Sequence, residues 1–113
     1  MNTSHLSPSQ IRLQLWDHIS REIRLPTSSK ILLLVIANLT DPRSLRARIP
    51  ISLLVVHSGQ SETEINRLLS TLETKQWIES MRVPNEVRGR PAVTLYNLSA
   101  PLLHRALSNN SRT

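Results

Sequence analysis

Apolar residues in this chain recur first with helical spacing and only later with the spacing of strands. Ser7-Pro8-Ser9-Gln10 marks the first helix start. Ser7 can cap, Pro8 suits the first helical position, and Gln10 can reach back to complete a capping box. Ile11, Leu15, Ile19 and Ile23 then form a single i, i+4 stripe with Trp16 beside it, which predicts a helix to about Arg24. Leu25 precedes Pro26 and is biased out of the helical region. A cap at Thr27 or Ser28 opens a second helix, Ser29 to about Leu39. Its run ILLLVIANL is apolar on nearly every side, the pattern of a central buried helix, with a strand as the competing reading. Thr40-Asp41-Pro42 ends it.

Arg43 to Pro50 reads as a basic linker, with Arg43, Arg46 and Arg48 close together. Ile51 to Ser58 is a short helix, and Gly59 suits the sharp bend after it because glycine adopts positive φ without a steric penalty. Ser61 caps the next helix, which is expected to reach about Gln76, and Glu64 stands as the capping-box partner. Glu62 and Glu64 place negative charge in its first turn, where the helix dipole favours it. Ile65, Leu68, Leu69 and Leu72 define its apolar face, and Thr63, Asn66, Arg67 and Ser70 the polar one. Trp77 to Val83 and Ala92 to Leu98 read as strands of a hairpin, with Pro84 to Pro91 between them. Ser99 caps a last helix, Ala100 to Leu107. Met1 to Leu6 is expected to fray, and Asn109 to Thr113, without an apolar anchor, to be disordered.

The stretch from Leu53 to Tyr96 resembles the winged helix-turn-helix of transcriptional regulators of the broad MarR and ArsR-like type. In that pattern a small or apolar residue sits four before the turn glycine, here Val55 before Gly59. A β-branched residue sits six after it, here Ile65, and an apolar residue three later, here Leu68. LLSTLETKQWIE resembles the end of the recognition helix and entry into the wing, and RGRPAVTLYNLS the wing's return strand. Ser58 and Gln60 stand where apolar residues are usual, and Gln76 where a glycine usually ends the helix. Gln76 must therefore take the left-handed conformation or end the helix differently. The fold this implies is mainly α with a small β-hairpin: one winged-helix domain over residues 1–113, with an extra N-terminal helix and a short C-terminal one.

Composition sharpens the choice of partner. A net charge of +6 points to polyanions, nucleic acid first. No apolar run approaches the roughly 20 residues of a membrane span, and MNTSHLSPSQ does not read as a signal peptide. The absence of cysteine excludes disulfides and thiolate metal sites and fits the cytoplasm. His5, His18, His57 and His104 match no metal-ligand spacing, and no cofactor is expected. With only Gly59 and Gly89 there is no glycine-rich phosphate loop, and no nucleophile motif is present, so an enzyme is not expected.

The resemblance implies sequence-specific binding of duplex DNA as a transcriptional repressor or regulator. Residues Ser61 to Ser70 would enter the major groove, with Arg67 suited to guanine and Asn66 to adenine or phosphate. Ser61 and Thr63 lie near the helix start, where phosphate contacts are common. Arg88 and Arg90, around Gly89, suit the neighbouring minor groove, and Arg82 on the incoming strand suits phosphate. The plainer reading is a solvated polar face with Arg67 bridging Glu64 or Glu73. A homodimer is also implied, and the stripe of Ile11, Leu15, Ile19 and Ile23 with Trp16 is expected to pack on its copy rather than fold back on its own domain. The alternatives are a winged-helix adaptor for protein assembly without DNA binding, or a replication or partition DNA-binding protein of a plasmid or virus.

Overall fold

The helix that Ser7 opens runs Pro8–Glu22 (α1). The Ser7 hydroxyl accepts from the Gln10 N–H at 3.2 Å, and the Gln10 side-chain carbonyl accepts from the Ser7 N–H at 2.7 Å, so the capping box is complete. α1 stops short of Arg24 because Ile23 is already extended, with φ −103° and ψ 117°. These positions come from a computed structural model, which describes residues 6–84, 89 and 92–108. The expected disorder of residues 1–5 and of Asn109 to Thr113 lies outside the described residues. Leu6 is not frayed: it is half-buried and packs against the core.

The stripe on α1 is corrected by its surroundings. Ile11, Leu15, Ile19 and Ile23 are each at most 4% exposed within the single chain. They pack against α2 (Thr27–Asn38) and α5 (Ala100–Ser108). The expectation that these four meet a second copy therefore fails: the next helix, α2, and the distant α5 already cover the stripe. Trp16 alone of the five stays exposed.

α2 begins at Thr27 behind Pro26, and no side chain caps it, against the expected Thr27 or Ser28 cap. It is a helix, yet not buried on every side. Leu32, Leu33 and Ile36 are fully buried, Ile31 is 42% exposed, and Leu34 and Val35 are half-buried. The neighbouring elements cover only part of its circumference. The Thr40 hydroxyl donates to the Ile36 carbonyl at 2.7 Å just past the helix end.

α3 (Ile51–Ser58) and α4 (Glu62–Thr74) form the helix-turn-helix. Gly59 ends α3 at φ 71°, and its N–H donates to the Val55 carbonyl at 3.1 Å. The two polar departures near this turn are both satisfied. The Ser58 hydroxyl accepts from the Gln60 N–H at 3.2 Å, and the Gln60 amide donates to the Ser28 carbonyl at 3.4 Å, tying the turn to α2. Ser61 caps α4 through the Glu64 N–H at 3.2 Å. The reciprocal half of that box does not form, because the Glu64 carboxylate takes Arg67 instead. Ile65, Leu68, Leu69 and Leu72 are buried as their spacing predicts.

Gln76 takes the left-handed conformation at φ 65°. The Trp77 N–H donates to the Leu72 carbonyl at 3.0 Å and the Gln76 N–H to the Glu73 carbonyl at 3.0 Å, a Schellman ending without glycine. The chain then enters β1 (Ile78–Val83), which pairs antiparallel with β2 (Val93–Leu98) from Ile78 opposite Leu98 to Val83 opposite Val93. Ser99 caps α5, accepting from the Leu102 N–H at 3.2 Å. The molecule is thus mainly helical with one antiparallel hairpin, arranged like a winged helix with an added helix at each end.

The basic linker has a structure of its own. Asp41 organises its first turn: its carboxylate accepts from the Arg43 N–H at 3.2 Å and the Ser44 hydroxyl at 2.9 Å. Leu45 sits at φ 59°, a position costly for a side-chain-bearing residue, and its side chain packs on the core. Beyond it the linker lies along the free edge of β2. Ile49 bridges Tyr96, whose N–H donates to the Ile49 carbonyl at 3.1 Å, and the Asn97 side-chain oxygen accepts from the Ala47 N–H at 2.6 Å. Arg46-Ala47-Arg48-Ile49 alternates polar and apolar, and Ala47 and Ile49 are the buried pair. That alternation was the available strand signal.

Candidate nucleic-acid interface

α3, α4 and the hairpin enclose an open groove of about 500 Å³. Its lining includes Ile51 and Ser52 from the start of α3, Glu62 and Asn66 from α4, and Thr94 and Tyr96 from β2. No side chain caps the start of α3; the Leu53 N–H donates to the Pro50 carbonyl at 3.1 Å, while the N–H groups of Ile51 and Ser52 lead the helix and suit an anion. Arg82 stands directly across the hairpin from Thr94 and is exposed. Directly opposed residues share one face of a sheet, so Arg82 stands at the rim of this groove.

Among the sequence-predicted residues, Thr63, Asn66 and Ser70 are exposed on α4. Ser61 is exposed too, though its hydroxyl is engaged as the cap. Arg67 is exposed but not free. Its Nε donates to Glu64 at 3.0 Å and its terminal nitrogen to the other carboxylate oxygen, a two-pronged pair across one helical turn. The hydrogen bond from Arg67 holds the Glu64 carboxyl below its ordinary pKa, and Glu64 raises that of Arg67. This is the arrangement of the plainer reading. Gly89 is exposed at φ 87°, while Arg88 and Arg90 lie outside the described residues.

Charge is distributed unevenly. α4 carries Glu62, Glu64 and Glu73 against Arg67, so the helix that would lie in a DNA groove is net acidic. The cations flank it. Arg43, Arg46 and Arg48 are exposed along the linker. Among the described residues the ion pairs are Arg21 with Asp17 and Arg67 with Glu64, so Arg46, Arg48 and Arg82 have no paired carboxylate there, while Arg43 stands close enough to Asp41 to help lower its pKa. Arg46 and Arg48 point away from the buried Ala47 and Ile49, and Arg46 lies beside Met81 and Leu95 on the hairpin face turned away from the groove. The sequence places these arginines in a linker; β2 holds Ala47 and Ile49 along its edge, and with them the alternating Arg46 and Arg48, while Arg43 belongs to the Asp41 turn.

No helix among the described residues is long and apolar enough to cross a membrane. No protein-family model matches the chain, and no curated protein does.

Proposed function

We propose that this chain binds duplex DNA across the groove between α4 and the hairpin, acting as a transcriptional repressor or regulator in the cytoplasm. The observation that carries this reading is the convergence of Asn66, the uncapped start of α3 and the Thr94–Arg82 pair on one opening. Asn66 suits adenine or phosphate, and Thr63 and Ser70 add neutral hydrogen-bonding groups. Because α4 is net acidic, most of the attraction to phosphate comes from its flanks: Arg82, and the linker's Arg43, Arg46 and Arg48 if the duplex extends or bends over the hairpin. Arg67 reads a base only after leaving Glu64, an exposed pair that solvent already weakens.

The same acidity of α4 favours a second reading, a protein-assembly adaptor whose recognition helix meets a basic partner. Selection of bound sequences from a random duplex pool, followed by titration at several salt concentrations, separates the two. DNA binding yields an enriched site and a log K that falls with log salt by about 0.9 per phosphate contact. No retained duplex at low salt removes the DNA reading and leaves the adaptor.

A further inference from the structure

We infer that the exposed apolar face shared by α1, α2 and α3 seats a second copy of this chain about a two-fold axis. At its centre is an open hollow of about 230 Å³, lined by Trp16 of α1, Ile31, Leu34, Val35 and Asn38 of α2, and His57 of α3. The chain has a net charge of +6, yet no Asp, Glu, Lys or Arg lines this hollow. Two projections flank it. Leu13, one turn before Trp16 on α1, is 68% exposed. Val56, one turn after Leu53 on α3, is 75% exposed. Leu53, 41% exposed, lies one turn before His57 and joins Val56 to the hollow's edge.

A hollow bordered by projections of matching chemistry is self-complementary. In a two-fold pairing the same patch meets itself, so Leu13 or Val56 of one copy can enter the hollow of the other. Charge argues for the same occupant. An acidic partner would be met by arginines, and none lines the hollow. Two copies that repel through their +6 charges approach at least cost where neither presents charge. The area also suffices. Leu13, Trp16, Ile31, Leu53 and Val56 together expose roughly 500 Å², at the upper end of what a monomer leaves open. Two such faces bring roughly 1,000 Å² together before the rim is counted, near the lower bound of a specific interface. That size fits a small, reversible interface. The inference uses neither α4 nor the hairpin and does not rest on the DNA reading.

The test is light scattering on the full chain, without DNA, over a series from one to several hundred micromolar. The mass should climb from 12.8 kDa toward twice that value, with the Trp16 part of the fluorescence shifting to the blue as concentration rises. Leu13→Lys with Val56→Lys should weaken association by at least about tenfold. Both positions are strongly exposed, so the variant should keep the native circular dichroism spectrum. A native chain that stays at single-chain mass throughout overturns the inference and leaves the face to a different protein. A dimer that the double variant leaves intact overturns it as well, since the interface must then lie elsewhere. A double variant that loses its native spectrum is replaced by Leu13→Ser with Val56→Ser, to which the same criteria apply.

Discussion

α3 has one end in each of two unlike openings. Its start lines the groove with Ser52, Glu62, Asn66 and Thr94, and its end lines the hollow with Trp16, Ile31 and Val35. The groove has a mixed lining: Ser52, Glu62, Asn66 and Thr94 keep hydrogen-bonding groups open to a polar ligand, beside Pro50, Ile51, Val93 and Tyr96. The hollow is apolar because α2 carries more hydrophobic surface than its own neighbours cover. The stripe on α1 shows the complementary case. It has the same residue types as the face of the hollow but is covered by α2 and α5, so it stabilises the fold and presents nothing. Apolar character alone does not distinguish a core from an interface; what covers it does.

The largest effect should come from attacking the covered face. Leu15→Glu with Ile19→Lys would leave a folded monomer only if the stripe were a surface. With both residues at most 1% exposed, the variant should not fold. Truncating such a side chain to alanine already costs about 2–5 kcal/mol, against a typical total of about 5–15 kcal/mol. Burying unpaired charge costs more. Circular dichroism and denaturant titration check this, and a native-like melt in the variant would mean that α1 does not belong to the core.

Next come the cations around the hairpin, Arg82 at the rim of the groove and Arg46 and Arg48 along the linker. Arg46→Ala, Arg48→Ala and Arg82→Ala together should lower duplex affinity and flatten the salt dependence by about 0.9 per lost phosphate contact, roughly 2–3 in total. The melting temperature should barely move, because all three are exposed. An unchanged slope measured by fluorescence anisotropy would remove these arginines from the interface.

The end of α4 offers a change of intermediate size. Gln76→Gly should raise stability by about 1 kcal/mol, because glycine occupies φ 65° without the clash a Cβ makes there. A destabilised variant in urea titration would show that the Gln76 side chain compensates for its backbone.

A smaller effect should follow from pH. His18 on α1 is buried, and its Nδ1 has no hydrogen-bond partner among the described residues. Burial lowers its pKa below the ordinary 6.5, with Arg105 acting in the same direction and Glu22 and Asp17 opposing. The unfolded chain therefore binds a proton more readily, and this group's contribution makes stability fall as pH drops through 6.5 toward the folded value. Melts at neutral and mildly acidic pH should show the decline, and His18→Gln should reduce it. An equal slope in the variant would assign the decline to other groups.

The smallest effect concerns Arg67. Glu64→Gln should leave the melting temperature nearly unchanged while releasing the guanidinium, and duplex affinity should rise. Arg67→Ala should relax discrimination at one base pair of the selected site. Equal loss on all sequences would make Arg67 a phosphate contact instead.

Local chemistry was legible without coordinates, because its partners are neighbours along the chain. The capping box of Ser7 and Gln10, the left-handed Gly59 and the Ser99 cap each follow from a few adjacent residues, while at Gln76 the sequence leaves two helix endings open and the structure takes the left-handed one. Also legible were the buried face of α4, whose period marks which side is apolar, and the presence of the hairpin. Of the candidate site, the exposed row of Thr63, Asn66 and Ser70 was legible in the same way. Contacts between distant segments were not. Periodicity says that Ile11, Leu15, Ile19 and Ile23 need cover, not that α2 and α5 provide it. Composition makes Arg43 to Pro50 basic, but only Tyr96 and Asn97 turn it into an edge beside β2. Glu64 suited two partners at equal sequence distance, the Ser61 N–H and Arg67, and the folded geometry chose Arg67. The apolar run of α2 does not say which of its sides remains uncovered; only the packing of α1 and α3 around it leaves Ile31 beside an open hollow.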